Sequence, residues 1–126
     1  MKKWLFLAGV SGALAVIAGA FGAHGLQSRL EPRLLASFTT AAHYHLIHAA
    51  AMGVAALAGR EGAARRRAQG AALLFLAGTV LFSGSLYALA LSGIRAFAFI
   101  TPLGGIAFIA GWIMLALTAL KLEDPR

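Results

Sequence analysis

The sequence predicts an all-α integral membrane protein, a four-helix bundle with its N-terminus and C-terminus on the cytoplasmic side. The first supporting observation is composition: 126 residues, 60% of them hydrophobic and 12% charged, with a mean hydropathy of +0.82. A chain this apolar and this short is poorly suited to a soluble domain. The second is that stretches 4–28, 34–59, 68–94 and 96–120 carry no charged side chain. Each exceeds the ~20 residues a helix needs to cross roughly 30 Å of hydrocarbon, and continuous apolar runs fit helices, whereas a membrane barrel alternates over strands of about ten residues. The third is where the basic residues sit. Lys2, Lys3, Arg60, Arg65, Arg66, Arg67, Lys121 and Arg126 fall on one side, and Arg29, Arg33 and Arg95 on the other. The positive-inside rule makes the first side cytoplasmic.

A single membrane domain over 1–126 follows, with spans at about 4–25, 36–59, 69–92 and 97–120. The first span opens on a dibasic pair and carries small residues at 18–23, as a signal peptide does. Its apolar run from Leu5 to Phe21 is longer than the roughly 7–15 residues of a cleaved segment, so an uncleaved helix is expected. The second begins at Glu31-Pro32, an acid at the positive end of the helix dipole beside a proline that needs no donor in a first turn. With Leu30, Leu34, Leu35 and Phe38 on one side, this helix is expected to start in the outer interface, near 31–37. The third and fourth spans, joined by a short loop at 93–97, should form an antiparallel hairpin.

Small residues mark the packing seams. Ala8, Gly12, Ala15, Gly19 and Gly22 keep a 4-3-4-3 spacing along the first helix, and Gly104, Ala107, Gly111 and Thr118 make a comparable face on the fourth. Such stripes let backbones approach closely in lipid. Packing inside the bundle is the expected use, a homo-oligomer interface the alternative.

The polar residues gather in the outer half: His24 on helix one, His43, Tyr44, His45 and His48 on helix two, Ser83, Ser85 and Tyr87 on helix three, and Thr101 on helix four. The inner half offers Ser11, Thr79 and Thr118. Tyr44 and His45 share a face with His48, whereas His43 lies about 140° away. His48 is thus the foremost candidate for a buried functional histidine, and His43 is expected to face the headgroups or a different neighbour. In Thr101-Pro102-Leu103-Gly104-Gly105, the proline either breaks the helix and frees a carbonyl for the cluster or simply occupies a first turn.

Ionisable side chains at membrane depth are costly and are usually retained for function. No Asp or Glu lies in any span, so His48 should be neutral, bonded to Tyr44, Ser83, Ser85 or a carbonyl. The leading expectation is a non-enzymatic protein with a polar cluster around His48, Tyr44 and His24, no catalytic residue, no metal and no cofactor. Its partners are membrane lipids and, in the alternative, further copies of itself. One alternative function is a lipid, small-solute or proton pathway formed by a homo-oligomer; another is a haem or metal redox subunit ligated by His24 and His48. Nothing supplies the acid of a hydrolase triad. Gly19–Gly25 lacks the strand and lysine of a phosphate loop. The net charge of +7 clusters at span ends, so no nucleic-acid partner is expected. With no cysteine, disulfides and thiolate sites are excluded.

Several strings are recognisable: Gly19-Ala20-Phe21-Gly22-Ala23-His24-Gly25-Leu26, Thr40-Ala41 followed by Tyr44 and His48-Ala49, the run from Gly78 to Tyr87, and Thr101-Pro102-Leu103-Gly104-Gly105 with Gly111-Trp112. In these the chain resembles, over nearly its whole length, the small four-helix membrane family of unknown function number 423, with its YgdD-like and YwdK-like bacterial members and related eukaryotic transmembrane-protein-256-like proteins. The resemblance implies a multi-pass bacterial inner-membrane protein without an established role. It also implies that His24, Tyr44, His48, Ser83, Ser85, Tyr87, Arg95, Thr101 and Pro102 occupy family positions. His43 and His45 depart from the pattern and are expected as local variation at the membrane surface or the cluster's edge. Arg95 is expected to anchor to headgroups or to face an anionic group.

Overall fold

The computed structural model describes residues 1–122, so Arg126 of the charge count lies outside the described residues. The fold is all-helical, with no strand among the described residues. Helix α1 spans Lys2–His24 and α2 Pro32–Ala58. A third rod runs from Arg65 to Ser92 as α3 (Arg65–Gly78), a π-helical turn (Thr79–Ser83) and α4 (Gly84–Ser92). A 3-10 turn, Arg95–Phe99, leads into α5, Thr101–Ala119. The α1–α2 and α4–α5 connections lie at one end, called here the hairpin end, and the start of α1, the α2–α3 connection and the end of α5 at the other.

Local chemistry explains the boundaries. Before Pro32, Glu31 is extended at φ −62°, ψ 154°, as a residue preceding proline tends to be. Gly93 closes α4 at φ +72°, the left-handed cap that glycine adopts without a Cβ penalty. Pro102 sits in the first turn of α5, and the Leu103 and Gly104 amides both reach the Ile100 carbonyl, at 3.1 and 3.4 Å. The proline therefore starts this helix and does not break it. The π-helical turn was not expected from the sequence. There the Gly84 amide reaches back to the Thr79 carbonyl, while the Thr79 hydroxyl bonds the Phe75 carbonyl at 2.8 Å, a competition known to bend helices.

By length and hydropathy, three segments qualify as membrane-crossing: Lys2–His24, Arg65–Ser92 and Arg95–Ala119. The expected fourth, α2, is long enough at 27 residues but less apolar, because His43, Tyr44, His45 and His48 interrupt its apolar run. It is also the most enclosed helix, with ten buried residues including His45 and His48. Polarity that lipid would penalise is in part turned toward protein.

The helices pack in series. α1 lies on α2, α2 on the third rod, and α5 on the third rod, meeting α2 only briefly. Small residues set the first seam: a Cβ on Gly12 would meet the Ala49 methyl at 3.8 Å, and one on Gly53 the Ala8 methyl at 3.7 Å. At the hairpin end a Cβ on Gly22 would press to 2.9 Å from the Phe38 ring. Gly19 has open space beside it, so it drops out of the expected stripe while Ala8, Ala15 and Gly22 are buried in it. On α5, Gly104 and Gly111 are buried against Phe82 and Phe75, and Ala107 is half-buried. Two apolar clusters result. Trp4, Met52 and Phe75 anchor one toward the chain ends, and Leu26, Phe38 and Ala90 the other at the hairpin end.

Candidate functional site

Between those clusters lies a layer of imidazoles, hydroxyls and aromatic rings. His48, on the buried face of α2, uses both ring nitrogens. Its Nδ1 lies 2.7 Å from the Tyr44 carbonyl oxygen, and its Nε2 is 3.0 Å from the indole Nε1 of Trp112 on α5. A carbonyl only accepts and an indole N–H only donates. Nδ1 therefore carries the proton, Nε2 is the acceptor, and the ring is neutral in one defined tautomer. Phe108 stacks on this ring at 3.5 Å between centroids and 8° between planes, with Phe75 and Trp112 tilted around it.

His45 is only 9% exposed, in contrast to its expected place at the cluster's edge. Its Nδ1 lies 3.0 Å from the Tyr87 hydroxyl on α4, and its Nε2 3.0 Å from the Ser11 hydroxyl on α1. One side chain thus ties three helices. His43, two residues earlier, is exposed. The reason is rotation: successive residues turn by about 100°, so the two cannot share the inward face.

Two further hydroxyl contacts are interhelical. Ser83 donates to the Ala41 carbonyl of α2 at 2.8 Å, and Ser85 and Thr101 share a bond of 2.6 Å between α4 and α5. Thr118 is buried and donates to the Met114 carbonyl at 2.9 Å, within α5. Among the described residues no buried side-chain nitrogen or oxygen lacks a partner.

Two expected members, His24 and Arg95, stand apart from this layer, and Tyr44 enters it only in part. His24 is exposed in the last turn of α1; it lies two residues past buried Gly22, hence about 200° around the helix. Tyr44 contributes its backbone carbonyl and its ring, which lies 4.6 Å from that of Phe82, while the residue is 42% exposed. Arg95 is exposed at the hairpin end. There it lines a depression of about 660 Å³ together with Arg33 and Glu31. The haem or metal pair of His24 and His48 is therefore not assembled: His24 faces away, and Nε2 of His48 is taken by Trp112. Among the described residues, no three of His, Asp and Glu converge as metal ligands.

Ser11 and Trp112 were the residues missed as site members. A sequence signal existed for Trp112: it follows Gly111 and lies four residues beyond Phe108, on adjoining parts of one helical face. Ser11 joins the layer instead of a bare inner half, because its depth opposite His45 depends on how α1 and α2 slide against each other.

Residues 18–105 match the family described as "Protein of unknown function (DUF423)". The chain belongs to this family. It is 41% identical over 121 residues to the UPF0382 membrane protein YwdK of Bacillus subtilis, covering 96% of this chain and 98% of that one. It is 38% identical over 123 residues to the UPF0382 inner membrane protein YgdD of Escherichia coli K12, covering 94% of this chain and 90% of the relative. Staphylococcus saprophyticus has a UPF0382 membrane protein, SSP2132, that is 38% identical over 122 residues. No solved structure matches the chain. As a member of DUF423 with three membrane-crossing segments, the protein is a multi-pass protein of the bacterial inner membrane.

Proposed function

We propose that this DUF423 protein is a non-enzymatic membrane protein whose central polar layer locks the helices into one arrangement, with both termini cytoplasmic. The observation that carries the reading is the saturation of His48. Its donor goes to the Tyr44 carbonyl and its acceptor to Trp112, leaving the imidazole neither proton to transfer nor lone pair to offer a substrate. An unmet polar group in hydrocarbon costs several kcal/mol, so each helix pair is held to the rotation that keeps these bonds. The interior is filled by Phe75, Met52, Ser83 and Thr118, all fully buried, which supports a lock over a central channel. The basic residues at 60–67 and at the N-terminus support the cytoplasmic placement of the termini.

The test is a double-mutant cycle of His48→Ala and Trp112→Phe, unfolded from detergent micelles with dodecyl sulfate. Each single variant should lose about 1–2 kcal/mol and the pair should couple by about 1 kcal/mol, since a buried partner is left unmatched. Absence of coupling, together with solute flux into proteoliposomes that disappears in His48→Ala, would replace the lock with a pathway.

A further inference from the structure

A groove of about 390 Å³ opens between α1 and the third rod, with α2 forming its floor. Leu14, Leu76 and Val80 line it as apolar walls, and Ser11, His45 and Tyr87 also reach it. Because α1 packs on α2 and makes little contact with the third rod, the groove faces the hydrocarbon of the bilayer.

The polar trio at the floor can be counted. A neutral imidazole carries one N–H, and each hydroxyl carries one O–H, so the trio holds three polar hydrogens. It makes two bonds, Tyr87 to His45 and His45 to Ser11, and neither hydroxyl has another partner among the described residues. One hydroxyl hydrogen is therefore left over whichever tautomer His45 adopts. If Nδ1 accepts from Tyr87, the Ser11 hydroxyl keeps the spare hydrogen; in the other tautomer Tyr87 keeps it. An unspent donor in hydrocarbon favours any acceptor that can reach it.

Depth narrows the acceptor. Ser11 is the tenth residue of the 23 in α1, and His45 the fourteenth of the 27 in α2, so the donor sits near the bilayer midplane. Phospholipid ester carbonyls lie at the interfaces, about 15 Å away. The acceptor must belong to a molecule that dissolves in the hydrocarbon core and carries its oxygen there.

We propose that this groove binds a lipid-soluble carbonyl compound, a ketone or quinone on a long apolar tail, whose oxygen accepts the hydrogen bond that Ser11 or Tyr87 has left to give. The walls take the tail and the donor orients the head. A groove of this volume falls in the usual range for small-molecule sites. The inference goes beyond the locking role of the layer, since it uses the one hydrogen that the lock does not consume.

The full chain in phosphatidylcholine nanodiscs would be titrated with decyl-substituted benzoquinone and, in parallel, with decylbenzene, which has the chain but no oxygen. The quinone should bind one per protein, with its carbonyl stretching band moved to lower wavenumber, and decylbenzene should bind about tenfold more weakly, as expected for one hydrogen bond. The Ser11→Ala/His45→Phe/Tyr87→Phe triple variant, which removes every N–H and O–H of the trio, should lose the same factor and return the band to its position in lipid. Leu14→Trp keeps the donor but fills the groove from an exposed position; it should abolish binding with an unchanged helical circular dichroism spectrum. Equal binding of quinone and decylbenzene would overturn the proposal, as would an unshifted band, which would mean that the spare hydrogen is turned back onto a helix carbonyl. Failure of the unmodified chain to bind quinone at all would overturn it too.

Discussion

Replacing Gly104 with alanine adds one methyl where α5 crosses the π-helical turn. A Cβ there would run into the Phe82 amide nitrogen and lie 2.7 Å from its Cα. Comfortable contacts between such atoms are about 3.5 Å or more, so α5 must withdraw by over an ångström. The obstacle is backbone and cannot rotate away, which places the cost at the upper end of the roughly 1–3 kcal/mol typical of overpacking. The same withdrawal stretches the 2.6 Å Ser85–Thr101 bond, whose Thr101 lies one turn from Gly104, and losing it adds about 1 kcal/mol. A total near 3–4 kcal/mol is expected. Gly105→Ala is the control, because its Cβ would find nothing closer than 4.0 Å and because it carries the same gain in helix propensity of up to about 1 kcal/mol. Unfolding both variants with dodecyl sulfate in mixed micelles, followed by far-ultraviolet circular dichroism, gives the comparison. If Gly104→Ala falls within about 0.5 kcal/mol of Gly105→Ala, the close backbone approach is refuted.

On α1, Gly19→Leu should leave stability within about 0.5 kcal/mol of the parent, as nothing lies within 4 Å of the added carbon. Gly22→Leu, driven into the Phe38 ring, should unfold at clearly lower denaturant, and similar midpoints for the two would show that the seam is misplaced. At the opposite end, Arg67 donates from Nη1 to the Leu117 carbonyl at 2.8 Å, fastening α3 to the last turn of α5. Arg67→Ala should cost about 1 kcal/mol and speed hydrogen exchange of the amides after Leu117; unaltered exchange would mean that the bond contributes nothing to holding that turn.

Much of the fold could be read without coordinates because membrane-crossing segments are specified locally. A 23-residue helix as apolar on average as α1 declares itself by hydropathy alone. Pro32 and Gly93 mark helix ends through their own backbone chemistry. The site was harder. His48 could be placed by the spacing within α2, but its partner Trp112 lies 64 residues away, and the pairing of His45 with Ser11 spans 34. Spacing defines a face on one helix and says nothing of which residue of another helix stands opposite. The π-helical turn adds to this, since a widened turn shifts the facing of the residues around it relative to a plain α-helix.

The sequence by itself determined the class of this protein, its location in the inner membrane and its membership of DUF423, all of which depend on hydropathy, charge at span ends and residue strings contiguous in the chain. The tertiary structure decided which polar groups meet: it drew His45 and Ser11 into the core of the layer, left His24 outside and opened a groove beside α1. The physical reason is that helix rotation and sliding are set by the fit of Gly104 on Phe82 and of Gly12 on Ala49, contacts between distant segments that no local pattern encodes.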